Sequence, residues 1–215
     1  VHLSARRDDP AEIRRHTVGS VIGDFDVAVV LEPGTEREVP EGELGELCFA
    51  GPSVIGGYHE APDVNAASFT SEGLLRSGDL GRATTIAGRR VFTVEGRIKD
   101  QISRGGEKFM ADELEVLLAA HDSVIEVAAV GVADPGLGER VGVFVVPTDP
   151  GADPDALRME LVRFLDELQV AKFKWPEHLF LIDALPRTGI NKVRKDVLRD
   201  LAAQRISDSH KEREQ

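Results

Sequence analysis

The chain has 215 residues, 41% of them hydrophobic and 5% aromatic, a balance that fits a globular protein of one large domain or two small ones and not a disordered chain. Its 38 Asp and Glu against 26 Lys and Arg leave a net charge of −12, which argues against a general nucleic-acid or anionic-membrane surface and requires any anion-binding field to be built locally. No run approaches the roughly eighteen apolar residues of a membrane span, no leader-like segment opens the chain, and the single cysteine, Cys48, allows no intramolecular disulfide, so a reducing, cytoplasmic setting is expected.

Residues 4–15 form a polar, charged run that does not read as the start of a folded domain, and the chain opens on Val1 rather than Met, so further sequence is expected upstream. From residue 23 to about 97, apolar runs at 27–31, 45–50, 54–58 and 84–94 are separated by turn residues such as Glu32-Pro33-Gly34 and Gly51-Pro52, with Gly88 in the middle of the last run. This spacing predicts a β-rich region with hairpins. Cys48 sits in Leu47-Cys48-Phe49-Ala50, where a buried, inert thiol is expected rather than a nucleophile. After Arg97 the period changes, and residues 111–121 predict a helix with Asp112-Glu113 at the positive end of its dipole.

Two strands of one sheet are expected at 124–132 and 138–146, separated by Asp134-Pro135-Gly136, the second continuous enough from 141 to 146 to be buried. A second helix fits 154–168, with Leu157, Leu161, Phe164, Leu165 and Leu168 on one stripe and Asp153 or Pro154 at its start. A strand at 178–182, a closing helix at 194–203 and a polar, frayed tail at 207–215 complete the chain. The division near Lys99 separates a β-rich segment from a compact α+β module, with no internal repeat or low-complexity tract.

Three segments carry candidate chemistry. Gly96 to Lys108, GRIKDQISRGGEK, gathers Arg97, Lys99, Arg104 and Lys108 around Gly105-Gly106; it reads either as a solvated hairpin tip or as backbone that lets an anionic ligand come close. Ser77-Gly78-Asp79-Leu80 offers either an Asx turn or a carboxylate for a ribose diol. Pro186-Arg187-Thr188-Gly189-Ile190-Asn191-Lys192 presents Lys192 at a turn, as a surface lysine or as a mobile ammonium for a phosphate oxygen or a carboxylate. GxSxG, GxxxxGK[ST], HExxH and CxxC are all missing, and the six histidines have no metal-ligand spacing, so no metal site is expected in the chain.

Taken in this order and spacing, SGDL at 77–80, GRIKDQISRGGEK at 96–108 and PRTGINK at 186–192 resemble the late core motifs of the adenylate-forming enzymes: acyl- and aryl-CoA synthetases, peptide-synthetase adenylation domains and luciferases. Residues 51–80, KDQISRGGEK and residues 171–192 look most like the 2,3-dihydroxybenzoate- and salicylate-activating ligases of siderophore assembly. The resemblance implies an α+β fold: residues 1–98 as the β-rich, distorted barrel-like end of a large N-terminal AMP-binding domain, residues 99–204 as a small mobile domain with an antiparallel sheet and flanking helices, and 205–215 as a polar tail. It also implies a two-step reaction in which a carboxylate attacks the α-phosphate of ATP, supplied as Mg-ATP, and a pantetheine thiol of an aryl carrier protein or of CoA then takes the acyl group.

On the same resemblance, Asp79 binds the ribose hydroxyls, Arg97 contacts ribose or phosphate, Lys99 is the hinge, Lys192 is the catalytic cation of adenylation, and Gly105-Gly106 lines the pantetheine channel. The family usually has glycine directly before the catalytic lysine, where this chain has Asn191, the next most permissive residue for positive φ. The phosphate loop, acid pocket and adenine-contacting motif of the family are not among these residues, so the missing N-terminal part of the same enzyme is the expected partner and the chain alone is not expected to adenylate. A CoA ligase of the same family and a non-catalytic interaction module that kept the fold are the alternatives.

Overall fold

The computed structural model describes residues 3–213, with the side chains described through Asp208. It divides into two compact units in sequence, Val1–Lys99 and Asp100–Gln215.

The first unit is built on a four-stranded antiparallel sheet in the order β3 (Val27–Leu31), β4 (Gly45–Ala50), β5 (Leu75–Ile86), β6 (Arg89–Arg97). A short ribbon of β1 (Leu3–Ser4) and β2 (Ser20–Val21) joins it through a bridge between Gly19 and Phe92, and the sheet curls into a half-barrel. Its inner face buries Ala28, Val30, Leu47, Ala83 and Phe92. The polar run at 4–15 is folded against the sheet: α1 (Ala11–His16) buries Ile13 completely, and the Asp9 carboxylate, itself buried, accepts from the Arg6 backbone N–H and pairs with Arg89. Polar residues conceal this element because one apolar side chain is all it contributes to the core.

Residues 54–58 form bends and irregular chain rather than the expected strand. Their neighbourhood is held by side chains instead of a ladder, since Asn65 of α2 (Pro62–Ser68) accepts from Tyr58 N at 2.7 Å and donates to Tyr58 O at 2.9 Å. A backbone satisfied in this way has no need of a partner strand.

The second unit opens with the hairpin of β7 (Gln101–Arg104) and β8 (Glu107–Met110), followed by α3 (Ala111–Leu118), β9 (Val124–Asp134), β10 (Gly138–Pro147), α4 (Pro154–Glu167), β11 (His178–Leu181) and α5 (Lys195–Arg213). β10 is central: β9 lies antiparallel on one side and β11 parallel on the other, and Gly138 pairs with Arg104 of β7. The parallel pairing departs from the expected antiparallel sheet because α4 carries the chain across before β11 begins, which is how parallel neighbours are connected.

Alternation along β10 explains its unbroken apolar sequence. Val141, Val143 and Val145 join Leu114, Leu118, Leu157, Leu161 and Leu165 of α3 and α4 on one face. Phe144 packs on the opposite face with Phe180, at 4.8 Å between ring centroids, and with Leu198 and Ala202 of α5. Asp153 caps α4 by accepting from Ala156 N at 2.8 Å, with Pro154 in the first turn where its missing N–H costs nothing. The closing helix runs beyond Ala203 through residues expected to be tail, because Leu198, Ala202 and Ile206 continue one apolar stripe and no Gly or Pro interrupts them. Among the described residues no helix is long and apolar enough to cross a membrane.

Two outcomes follow from this packing. Leu161→Ala, which empties a fully buried site between α4 and the sheet, should destabilise the second unit by about 2–5 kcal/mol; urea denaturation followed by the fluorescence of Trp175, the one tryptophan of the chain, measures it. Burial, reinforced by the Glu46 charge, pushes the Cys48 thiol up to about 12. Cys48 should therefore stay unmodified by a disulfide reagent at pH 8 in the native protein and react at once in denaturant, since the thiolate is the nucleophile.

Candidate functional site

In the first unit, β5 and β6 place Asp79 and Arg97 directly opposite each other, and Arg97 Nε donates to Asp79 Oδ1 at 2.9 Å. The Ser77-Gly78-Asp79 bend is fixed from two sides. Gly78 adopts φ 71°, and Ser77 Oγ accepts from Asp79 N at 2.9 Å. Beneath it lies Glu46, only 4% exposed, whose carboxylate accepts from Arg76 Nη1 at 2.9 Å and from Gly78 N at 3.1 Å. Sequence reasoning passed over Glu46; the available signal was a lone carboxylate inside the apolar run of β4, which at that depth requires a partner. Lys99 lies in the 3₁₀ turn Ile98–Asp100, at the last position of the first unit.

In the second unit, Gly105 (φ 59°) and Gly106 (φ 91°) are the two central residues of the β7–β8 hairpin, a turn that needs positive φ at both positions. Gly105 N donates to Leu137 O at 2.8 Å, while a Cβ built on Gly106 would meet nothing within 4 Å. Arg104, at the root of the turn, forks onto Glu177 with Nε–Oε2 2.9 Å and Nη2–Oε1 2.8 Å. Glu177 also accepts from Arg140 Nη1 at 2.7 Å and from Val141 N at 3.2 Å, and Arg140 Nε donates to Asp134 Oδ2 at 2.5 Å.

Burial pushes the Glu177 carboxyl up, yet the hydrogen bonds from Arg104 and Val141 and the two guanidinium charges outweigh it and hold it below the usual range. The Arg140 hydrogen bond likewise holds Asp134 low. Two of the four cations of residues 96–108 are thus paired within their own units, Arg97 with Asp79 and Arg104 with Glu177. The segment is not one basic patch. Among the described residues no group of three or more His, Cys, Asp or Glu side chains is placed to hold a metal ion.

Lys192 follows a tight hairpin closed by the Arg187–Val193 bridge. Thr188 N donates to Lys192 O at 2.8 Å, Asn191 N to Thr188 O at 2.9 Å and Lys192 N to Thr188 Oγ1 at 3.1 Å. Asn191 takes φ 64°, the left-handed position of such a three-residue loop. Arg187 braces the turn by donating to Asn191 O at 3.0 Å and to Glu126 Oε1 of β9 at 2.7 Å. The Lys192 side chain is exposed and takes part in no ion pair with the described residues. Asp79, Arg97 and Lys99 thus belong to the first unit, and Gly105, Gly106 and Lys192 to the second.

Asn191→Gly should leave the stability of the second unit within about 0.5 kcal/mol, whereas Asn191→Val should cost roughly 1–2 kcal/mol because a β-branched residue is forced left-handed. Paired urea titrations of the two variants check this.

Residues 113–192 match the family model of the AMP-binding enzyme C-terminal domain. The chain is 41% identical over 201 residues to 2,3-dihydroxybenzoate-AMP ligase of Bacillus subtilis (strain 168), covering 94% of this chain and 36% of that protein. It is 43% identical over 197 residues to salicylyl-CoA synthase / salicylate adenylyltransferase of a Streptomyces species, covering 91% of this chain and 34% of that protein. The crystal structure of ATP-bound MatB from Rhodopseudomonas palustris is similar with a TM-score of 0.74 and 32% identity, over 94% of this chain and 38% of that one. The chain spans about a third of the length of the relatives it matches. These matches run through both units: the chain as a whole is similar to part of adenylate-forming ligases, and residues 113–192 of its second unit carry the AMP-binding enzyme C-terminal domain.

Proposed function

We propose that this chain is the C-terminal part of an ATP-dependent aryl-acid ligase that forms an aryl adenylate and passes the aryl group to the pantetheine thiol of a carrier protein, with 2,3-dihydroxybenzoate or salicylate as the acid. The observation that carries the reading is the Lys192 loop. A braced, left-handed turn presents an exposed ammonium that no carboxylate among the described residues neutralises. In adenylation a carboxylate oxygen bonds to the α-phosphorus as the bond to the pyrophosphate oxygen breaks, and negative charge accumulates on the α-phosphate oxygens. An ammonium held there stabilises that charge in the transition state.

The other residues take complementary roles in this proposal. Asp79, steadied by Glu46 through Gly78, has the two oxygens needed to accept from the vicinal hydroxyls of a ribose, and Arg97 beside it contacts ribose or phosphate. Lys99, at the division between the units, is the hinge. Gly105-Gly106 lines the channel for the pantetheine arm, with Gly106 open on its outer side. The phosphate loop and acid pocket come from a part of the enzyme outside these 215 residues, and a cytoplasmic location belongs to the same proposal. Free CoA is the alternative acceptor, favoured by the likeness to a protein named as a salicylyl-CoA synthase; thioester yield with CoA against a phosphopantetheinylated aryl carrier protein separates the two.

ATP–pyrophosphate exchange with either acid should stay at background for the 215-residue chain alone. In the full-length ligase, Lys192→Ala should slow exchange by roughly 10²–10³-fold while thioester formation from supplied aryl adenylate is nearly unchanged. Equal loss of both half-reactions would overturn the role given to Lys192, and robust exchange by the chain alone would overturn the need for a partner portion.

A further inference from the structure

The turn at Gly105-Gly106 is backed by a closed circuit of hydrogen bonds. It runs from Arg104 to Glu177, to Arg140, to Asp134, whose Oδ1 accepts from Leu137 N at 2.9 Å, and from Leu137 O back to Gly105 N at 2.8 Å. Two guanidiniums meet two carboxylates, so the circuit is neutral and offers no site for a free ion. Its four charged side chains are partly withdrawn from water, with exposures between 17% and 38%. Glu177 is its node: Oε1 accepts from both arginines, and Oε2 accepts from Arg104 Nε and Val141 N, leaving neither oxygen idle.

The circuit acts on the turn at two points, the Arg104 side chain and the Gly105 amide, whereas Gly106 has no neighbour of its own on its outer side. Fork-to-fork pairing fixes the plane of the guanidinium as well as its distance, so Arg104, and with it the first residue of the turn, cannot swing without breaking two bonds at once. A core contact would stabilise the unit generally; this arrangement orients one turn.

We propose that Glu177 is a positioning residue for the thiol step, setting the place of the Gly105-Gly106 wall through Arg104 without touching substrate. The inference rests on the reading above that this turn lines the pantetheine channel. Glu177→Gln keeps the volume but removes the charge and turns one acceptor into a donor facing guanidinium N–H groups.

The test uses the full-length ligase and both half-reactions, with Gly106→Ala as a second variant and melting temperatures recorded for each. Glu177→Gln should lower kcat for thioester formation from supplied aryl adenylate by about tenfold or more, as misplacement of a reacting wall does, with ATP–pyrophosphate exchange within about twofold of the parent. Arg104→Met should give the same loss and the double variant no further loss, because both changes cut one link; Arg104→Lys, which keeps the charge without the fork, should lie between. Full thioester activity in Glu177→Gln with a loss in Gly106→Ala overturns the positioning role and leaves the channel reading standing. Full activity in both removes the channel reading and the inference with it. An equal fall in both half-reactions, or additive losses in the double variant, marks Glu177 as merely structural and overturns the proposal.

Discussion

The second unit is organised by one strand that is buried on both faces. Once Val141, Val143 and Val145 point to one side of β10 and Phe144 to the other, apolar cover is needed on both sides of the sheet, and α3 with α4 provides one layer while α5 provides the other. A strand in that position also needs partners along both edges for its backbone groups, which β9 and β11 supply in opposite directions. The beginning of the same strand, at Gly138, pairs with Arg104. Packing that exists to hide valines thereby determines where the diglycine turn stands.

Carboxylates do comparable work in both units. Glu46 sits in an apolar strand of the first unit and holds the bend that carries Asp79; Glu177 stands directly before β11 and holds the arginine that carries Gly105. Leaving a charge so withdrawn from water is tolerable only because each is met by an arginine and a backbone N–H. Removing Arg76 leaves the Glu46 charge uncompensated, and removing Arg104 leaves Glu177 to Arg140 alone, so each such pair constrains the backbone above it more tightly than its modest net contribution to stability suggests.

The helices of the second unit and the β9–β10 pair were legible because periodicity and turn residues report local structure, and Leu157, Leu161 and Leu165 declare their buried stripe without help. The diglycine hairpin and the left-handed Asn191 were legible for the same reason, since a positive φ restricts residue choice at one position. Other features were not. The strand expected at 54–58 failed because an asparagine side chain replaced the ladder, α1 was hidden because only Ile13 points inward, and the parallel setting of β11 depends on a crossover that no local pattern records. The partnership of Arg104 with Glu177 joins residues 73 positions apart, and a run of positive charge read along the chain could not reveal that its members face different carboxylates in different units. For the candidate site, sequence motifs supplied the residues, while the side chains that hold them in place came only from the fold.

At Gly105 and Gly106 the main chain has the handedness that D-amino acids prefer, at two consecutive positions. Glycine takes this geometry at the least steric cost, and with glycine at both positions the tip of the hairpin carries no side chain. Anything passing over it meets peptide planes, which can offer hydrogen bonds but no shape or charge of their own. Side-chain chemistry at this turn therefore falls to the flanking residues Arg104 and Glu107, of which Arg104 is already committed to Glu177.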